Sequence, residues 1–423
     1  MHSKGKGYKD TRAVNVCNWL LQMERGELVG LYCSDVSGAF DRVDKKRLGQ
    51  KLRATGLQPC VVALLESWLE DRVSRVVVAG EHSPDEPLAD SVFQGTVLGA
   101  PLWNLFYEDA RHSVTRKGFL ESVFADDFNC WKAFPVKHTE VNDSQKKALD
   151  ELKEVQKELH WWGEANRVLF DPSKESLHLL HRRFYWGDDF KLLGVVFDTQ
   201  LLMHRAAREI ATEAGWRLQT LLRVRRFFTT PELFRMYKAQ VLSYVESGTP
   251  ALYHAAPSVL DRIDRVQRRF LRELACSETD ALKNYRLAPL DSRRDMAMLA
   301  VLHKVNLGTA PAPLQELFPP KAAVEDRFDR ERLRGWRPLH ARQLHTECGF
   351  QSTDVLQGSL FGLAHCYNRL PPEVVAAKTV KEFQRRLQWA LRKCSESGMH
   401  DWNLLYSSAW KRMSPRHFDS FFR

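Results

Sequence analysis

At 423 residues, 44% hydrophobic and 27% charged, the chain has material for two or three domains, each with its own core. A net charge of +10 and a pI near 9.2 favour a polyanionic partner, nucleic acid or a membrane surface. Eight scattered cysteines without a CxxC pair leave a zinc ribbon or a dithiol redox motif unsupported, and no apolar run approaches the roughly 18 residues of a membrane span. Met1 to Asp10 is polar and basic and lacks the apolar centre of a signal peptide.

In chain order, Ser3 to Gly7 reads as loop and Thr11 to Met23 as a helix with Val14, Val16, Cys17, Leu20 and Leu21 on one broad face. Leu28 to Cys33 is an apolar run suited to a buried strand. It ends in Ser34-Asp35-Val36-Ser37-Gly38-Ala39-Phe40-Asp41, so Asp35 stands at the strand's carboxyl end. Asp44 is placed to cap a helix through Leu48 and Leu52. A second helix, Val61 to Leu69, is expected to bury Leu64, Leu65 and Trp68. Ser74 to Ala79 reads as a strand and Leu88 to Phe93 as its antiparallel return. Gln94-Gly95 precede a helix from Leu98 to Ala110, and glycine there lets backbone approach a substrate closely.

Val123-Phe124-Ala125-Asp126-Asp127-Phe128 carries the most chemistry. Strand-forming residues around two adjacent carboxylates read as a tight hairpin with the acids at its tip. Side chains alternate faces along a strand, so neighbouring aspartates reach one site only at a bend. Like charges that close raise each other's pKa unless a cation sits between them. The functional reading is a divalent metal site of hard oxygen ligands, suited to Mg²⁺. A solvated Asp-Asp turn is the plain alternative. If the strand ending at Asp35 pairs with this hairpin, three carboxylates can hold two Mg²⁺ about 3.5–4 Å apart, the spacing used for in-line phosphoryl transfer.

Downstream, 144–166 is a long charged helix with Leu149, Leu152, Val155, Leu159 and Trp162 in one stripe. Asn166 then leads to a turn through Asp171-Pro172-Ser173-Lys174, and Phe190 to Phe197 is a β-rich stretch around Gly194. From 201 to 275 the periodicity is helical and basic residues outnumber acidic ones. Arg223, Arg225 and Arg226 cluster there. In the helix from Val259 to Leu274, Arg262, Arg265, Arg268, Arg269 and Arg272 lie mostly away from the apolar stripe. Such a helix can lay arginines along a nucleic-acid backbone with salt-sensitive affinity, or be merely a solvated basic face. Prolines between 311 and 320 mark an irregular junction, and 325–345 is an arginine-rich loop. His340, His345, Cys348, His365 and Cys366 match no common zinc spacing.

Several of these stretches together resemble one family. Asp35 to Asp41, "DVSGAFD", is similar to polymerase motif A of reverse transcriptases. Phe93 to Pro101, "FQGTVLGAP", is similar to motif B, although its proline comes one residue later than in the usual "LGP". "FADD" at 124–127 is similar to motif C. Asn166 to Lys174 resembles motif D, and "FKLLGVVF" resembles the "YLGV" hairpin that grips the primer end. Tyr367 to Val375 with Thr379 to Leu391 resembles a "WNxLP" ending downstream of the thumb. The family is that of non-LTR, LINE-type, jockey-like retrotransposon reverse transcriptases, and the resemblance covers nearly the whole chain.

That resemblance implies an α+β right-hand polymerase. Residues 1–27 would be a residual fingers helix, the family's larger fingers region being absent. Residues 28–188 would be a palm of antiparallel sheet with packed helices. Primer-grip hairpin and helical thumb would follow at 189–275, and a helical C-terminal extension at 276–423. It implies an RNA-directed DNA polymerase in which a primer 3′-hydroxyl attacks a deoxynucleotide α-phosphate. RNA template, DNA primer and deoxynucleoside triphosphates would be its partners, without a membrane, in the nucleus and at a cytoplasmic ribonucleoprotein stage. Asp35, Asp126 and Asp127 would be catalytic and hold two Mg²⁺ with the Val36 carbonyl. Lys174 would protonate the departing pyrophosphate. Phe40 would exclude a 2′-hydroxyl, and Gln94 and Gly95 would line the nucleotide and template pocket. Asp41 is given a structural role. Arg223, Arg225, Arg226, Arg265, Arg268 and Arg269 would hold nucleic acid. The alternative is a fragment, inactive or co-opted, that binds RNA or an RNA–DNA hybrid without polymerising.

Overall fold

The computed structural model describes residues 7–88, 90–136, 141–184, 186–321, 340–349, 351–399 and 401–407. They form two compact units. Gly26–Asp188 make the first, and the stretch ending at Arg25 joins the residues from Asp189 onward in the second. The architecture is mixed α+β: a central antiparallel sheet flanked by helices, and a helical C-terminal region. No helix among the described residues is long and apolar enough to cross a membrane.

The first unit is built on four antiparallel strands: β1 (Leu28–Asp35), β2 (Leu120–Phe124), β3 (Asp127–Phe134) and β4 (Ser176–Leu180). Their order is β2-β3-β1-β4, so β1 and β3 are the inner pair. β1 is buried along nearly its whole length, as its apolar run requires. Across the sheet lies the helix Val141–Asn166, with Ala148, Leu152, Val155, Leu159 and Trp162 buried in one stripe. Gly30 makes that approach possible. A Cβ there would stand 2.9 Å from the Phe134 ring and 3.3 Å from Leu152.

Shorter helices in this unit are Lys45–Ala54, Pro59–Leu69, Gly99–Tyr107 and Ala110–Thr115. Asp44 caps the first by accepting from the Arg47 amide at 2.9 Å. Three local expectations give way. Leu64 is 68% exposed, and Val62 and Leu69 are the buried residues of Pro59–Leu69. Ser74 to Ala79 is not one strand. Val73–Ser74 pairs with Glu86–Pro87 and Val77–Val78 with Glu81–His82, and the chain turns at Ala79 with φ +52. Leu88 to Phe93 is not its return strand. The valines at 76–78 are exposed, so β-branching there had no core to pack against.

In the second unit, Tyr8–Glu24 packs on the hairpin Phe190–Leu192/Val195–Phe197. Trp19 is wholly buried, with its ring edge-on to Phe190 and Phe197 at 6.1 and 5.8 Å. Arg12 donates to the Ser247 carbonyl at 2.6 Å and to the Leu193 carbonyl, and Asp10 pairs with Lys304 at 2.8 Å. The hairpin turns on Leu193 and Gly194, both at positive φ, as a two-residue turn that follows strand twist requires. Helices make up the rest. His204–Arg223 lies against Pro257–Glu273, and Leu290–Asn306 is central and packs against Leu360–Tyr367 and Val380–Glu396. His303 on the central helix bonds the Tyr367 hydroxyl and the Ala377 carbonyl, each at 3.0 Å.

Candidate functional site

The acids meet at one end of the inner strand pair. Asp35 ends β1, Asp127 begins β3, and the two are direct cross-strand partners. Residues in register share a face of the sheet. Phe124 pairs with Asp127, so the β2–β3 turn consists of Ala125 and Asp126 alone. Ala125 has φ +57, a left-handed conformation that costs an L-residue about 1 kcal/mol.

A tryptophan holds that turn. The Trp103 indole N–H donates to the Ala125 carbonyl at 2.9 Å. Trp103 is buried in Gly99–Tyr107, stacked on Tyr107 at 4.8 Å and tilted against Phe40 at 5.8 Å. Trp103 escaped sequence reasoning because a tryptophan at apolar helical spacing reads as core. Its one polar atom finds a partner 22 residues away.

Crowding of charge is visible in the titrating groups. Burial pushes the Asp127 carboxyl up to about 6, and the charges of Asp126 and Asp35 add to it, with Lys174 opposing. The Tyr107 hydroxyl is buried and has no hydrogen-bond partner among the described residues. Burial raises it well above its ordinary value, and Asp126, Asp35 and Asp127 raise it further. One hydroxyl feeling all three carboxylates puts them in one neighbourhood.

Lys174 answers that charge. Its ammonium pairs with Asp35 and lies 3.8 Å from Asp171. Hydrogen bonding to Asp35, then its charge, raises the lysine pKa. The loop is pinned to β1 just ahead of the lysine. The Asp171 amide donates to the Asp35 carbonyl at 3.0 Å, Ser37 to the Leu169 carbonyl at 2.9 Å, and buried Val36 bridges Phe170. Glu175 takes bonds from Tyr32 at 2.9 Å and Gln156 at 2.8 Å, and lies 2.6 Å from His160 Nε2. No sequence motif marks Glu175, since its partners come from two distant elements.

These donors are hard, crowded and mutually repelling, which suits a divalent cation in chemistry. The arrangement is not closed, however. Among the described residues no group of three or more His, Cys, Asp or Glu is arranged to hold an ion. The Asp35 carboxylate is engaged by Lys174 instead.

Phe40 lies in a 3-10 turn, Ala39–Arg42, half-buried against the core, while Asp41 beside it is exposed. Gln94 and Gly95 are exposed, and Gly95 has φ +85, which glycine tolerates without strain. Gly99 opens its helix where a Cβ would fall 2.3 Å from the Phe93 carbonyl oxygen. Pro101 therefore sits in the first turn, where its missing N–H costs little.

The arginines belong to the second unit. Arg225 pairs with Glu273 at 2.6 Å, Arg226 lies over the Phe227 ring, and Arg265 and Arg268 share Asp261. Arg223 and Arg269 are exposed and make no ion pair among the described residues.

Comparison with known proteins gives a relationship at superfamily level. No family model matches the chain. It is 25% identical over 284 residues to the RNA-directed DNA polymerase from mobile element jockey of Drosophila funebris, and 26% identical over 287 residues to that of Drosophila melanogaster. Each match covers 62% of this chain, which spans about 30% of the length of these curated relatives. Among solved structures, apo telomerase from Candida tropicalis has 12% identity and TM-score 0.34, covering 44% of this chain and 38% of that one. Telomerase from Candida albicans with a telomeric RNA fragment has 13% identity and TM-score 0.33, covering 64% and 53%. Likeness at that level carries no argument. What stands is weak, partial homology to jockey-type reverse transcriptases, a reverse-transcriptase superfamily relationship.

Proposed function

We propose that this chain carries the palm and thumb of an RNA-directed DNA polymerase of a non-LTR retrotransposon. The observation that carries this reading is the cross-strand pairing of Asp35 with Asp127 beside the Asp126 turn. Residues 28–188 are then the palm, 189–275 the primer-grip hairpin and thumb, and 276–423 an extension. Two Mg²⁺, when bound by Asp35, Asp126, Asp127 and the Val36 carbonyl, would activate the attacking hydroxyl and neutralise the leaving pyrophosphate. The primer 3′-oxygen attacks the α-phosphorus as the bond to pyrophosphate breaks. Lys174, released from Asp35, gives its proton to that leaving group. Phe40 packs beneath the sugar and excludes a 2′-hydroxyl, and Gln94 and Gly95 border the nucleotide. Arg223, Arg225, Arg226, Arg265, Arg268 and Arg269 hold template and primer backbones. The work is nuclear, with a cytoplasmic ribonucleoprotein stage.

A second reading is a protein that holds RNA or an RNA–DNA hybrid without polymerising. Lys174 on Asp35, and the lack of a closed ligand set among the described residues, favour it. Primer extension with Mg²⁺ on an RNA template separates the two. Asp126→Ala is expected to lower extension about a thousandfold while salt-sensitive RNA binding persists. Equal extension by the variant would defeat the catalytic assignment, and no extension by the parent would leave the binding reading.

A further inference from the structure

The helices His204–Arg223 and Pro257–Glu273 border a groove within the second unit. A cavity of about 230 Å³ there is lined by Arg208, Ala211 and Thr212 from one helix and by Arg262 and Arg265 from the other. Toward the other ends, Arg225, just past the first helix, pairs with Glu273, the last residue of the second. Contacts toward both ends therefore set the two helices side by side in the same direction.

Three guanidinium groups meet at this cavity and no carboxylate lines it. Arg265 is partly answered by Asp261, which it shares with Arg268. Arg208 and Arg262 are exposed and make no ion pair among the described residues. Like charges brought together on a concave surface are relieved by an anion entering it. Guanidinium forks match the paired oxygens of a phosphate, and the Thr212 hydroxyl adds one more donor. Ala211 leaves the floor open.

A second feature adjoins it. Trp216 follows Thr212 by one helical turn and is 63% exposed. Residues four apart share a helix face, so Trp216 stands one turn along from Thr212, next to the cavity rather than in its lining. An exposed aromatic next to a phosphate-sized basic cavity is the pairing that single-stranded nucleic-acid sites use: charge for the backbone, a flat ring for a base. In a duplex the base faces are already stacked on each other and cannot lie on Trp216.

We propose that this groove binds single-stranded nucleic acid, with a backbone phosphate held by Arg208, Arg262 and Thr212 and an unpaired base stacked on Trp216. It rests on the nucleic-acid partner proposed above and not on polymerisation, and none of these four residues belongs to the arginine set given there.

The test uses the full chain and fluorescence anisotropy. The probes are a labelled oligouridylate and an oligodeoxythymidylate of about a dozen nucleotides, and an RNA hairpin closed by a non-nucleotide linker, so that every base is paired, with an equal number of phosphates. Replacing Arg208 and Arg262 together by Ala is expected to weaken both single strands about tenfold and to lower the log–log salt slope by roughly 0.7, one phosphate's worth. Trp216→Ala is expected to weaken both single strands about fivefold or more with the salt slope unchanged, and to spare the hairpin. Trp216→Phe should restore most of the loss. Unchanged single-strand affinity in the double variant overturns the proposal. So does equal loss on strand and hairpin in Trp216→Ala, or a loss confined to RNA or to DNA. Intact strand binding in a chain that does not extend primers would remove the polymerase reading and leave this groove standing. Extension without the expected binding losses would remove the groove alone.

Discussion

The acidic end of the sheet and the basic groove both gather like charges, but they do so by different means. At the sheet end, backbone pairing fixes Asp35 opposite Asp127 and a two-residue turn fixes Asp126. None of these backbone positions can shift far without breaking strand pairing, so the Asp127 carboxyl stays buried among like charges, and burial first, then Asp126 and Asp35, raise its pKa. On Pro257–Glu273 the arginines ride on flexible stems at a helix surface. Two of them turn to Asp261. Rigid backbone thus concentrates charge at one point, whereas a helix surface spreads it over adaptable side chains.

Three experiments break or sharpen that contrast. The largest effect is expected where the sheet is held. Leu152→Ala removes the side chain that fills the space left by Gly30, and should cost about 2–5 kcal/mol in urea unfolding. A smaller cost would mean that the backbone there is less rigid than the contrast requires.

Next comes the buried, crowded Asp127 carboxyl. An aspartate whose folded pKa stands above its unfolded value of about 4 keeps its proton longer in the native state. Its ionisation therefore removes stability as pH rises from about 4 through about 6, and the loss is complete above that. Asp127→Asn should stabilise the chain at pH 7 by about 1–2 kcal/mol, discounted for partial solvent screening, and should converge with the parent below about pH 4. Thermal melts across that range check the sign. No gain at neutral pH would mean that Lys174 already offsets the crowding.

Smallest is the tether. Trp103→Phe keeps an aromatic ring at the stack while removing part of the indole and the N–H given to Ala125, the lost hydrogen bond alone costing about 1 kcal/mol. Amide exchange at residues 125–128 should quicken, while distant β4 stays protected. Unchanged exchange would show that strand pairing alone fixes the turn.

Much of the sheet was legible in the sequence, and for a physical reason. An apolar run, two strand-forming flanks around a turn and one apolar helical stripe are local patterns, and their partners follow from the need to cover a sheet. Ser74 to Ala79 misled because its β-branched residues were read as one strand, whereas Val76, Val77 and Val78 are exposed. Leu64 misled because an apolar helix does not say which of its faces meets the core. At the acidic end, the carboxylates themselves were readable. What surrounds them was not: Trp103 on Ala125, Glu175 among Tyr32, Gln156 and His160, and Lys174 on Asp35 all join residues far apart in sequence. Gly99 could have been suspected, as a glycine opening a helix directly after an extended loop, but only its clash with the Phe93 carbonyl shows why no other residue serves.

Tyr8–Glu24 has a consequence for how the protein is made and cut. This helix is translated before the first unit but packs in the second, with Trp19 against a hairpin translated only after that unit is complete. On the ribosome its apolar face must wait for its partner, exposed to chaperones and to wrong neighbours. A recombinant fragment starting at Asp189 would lack the side chain that sits against Phe190 and Phe197. Supplying the helix as a separate peptide should solubilise such a fragment, a practical route to studying the helical half by itself.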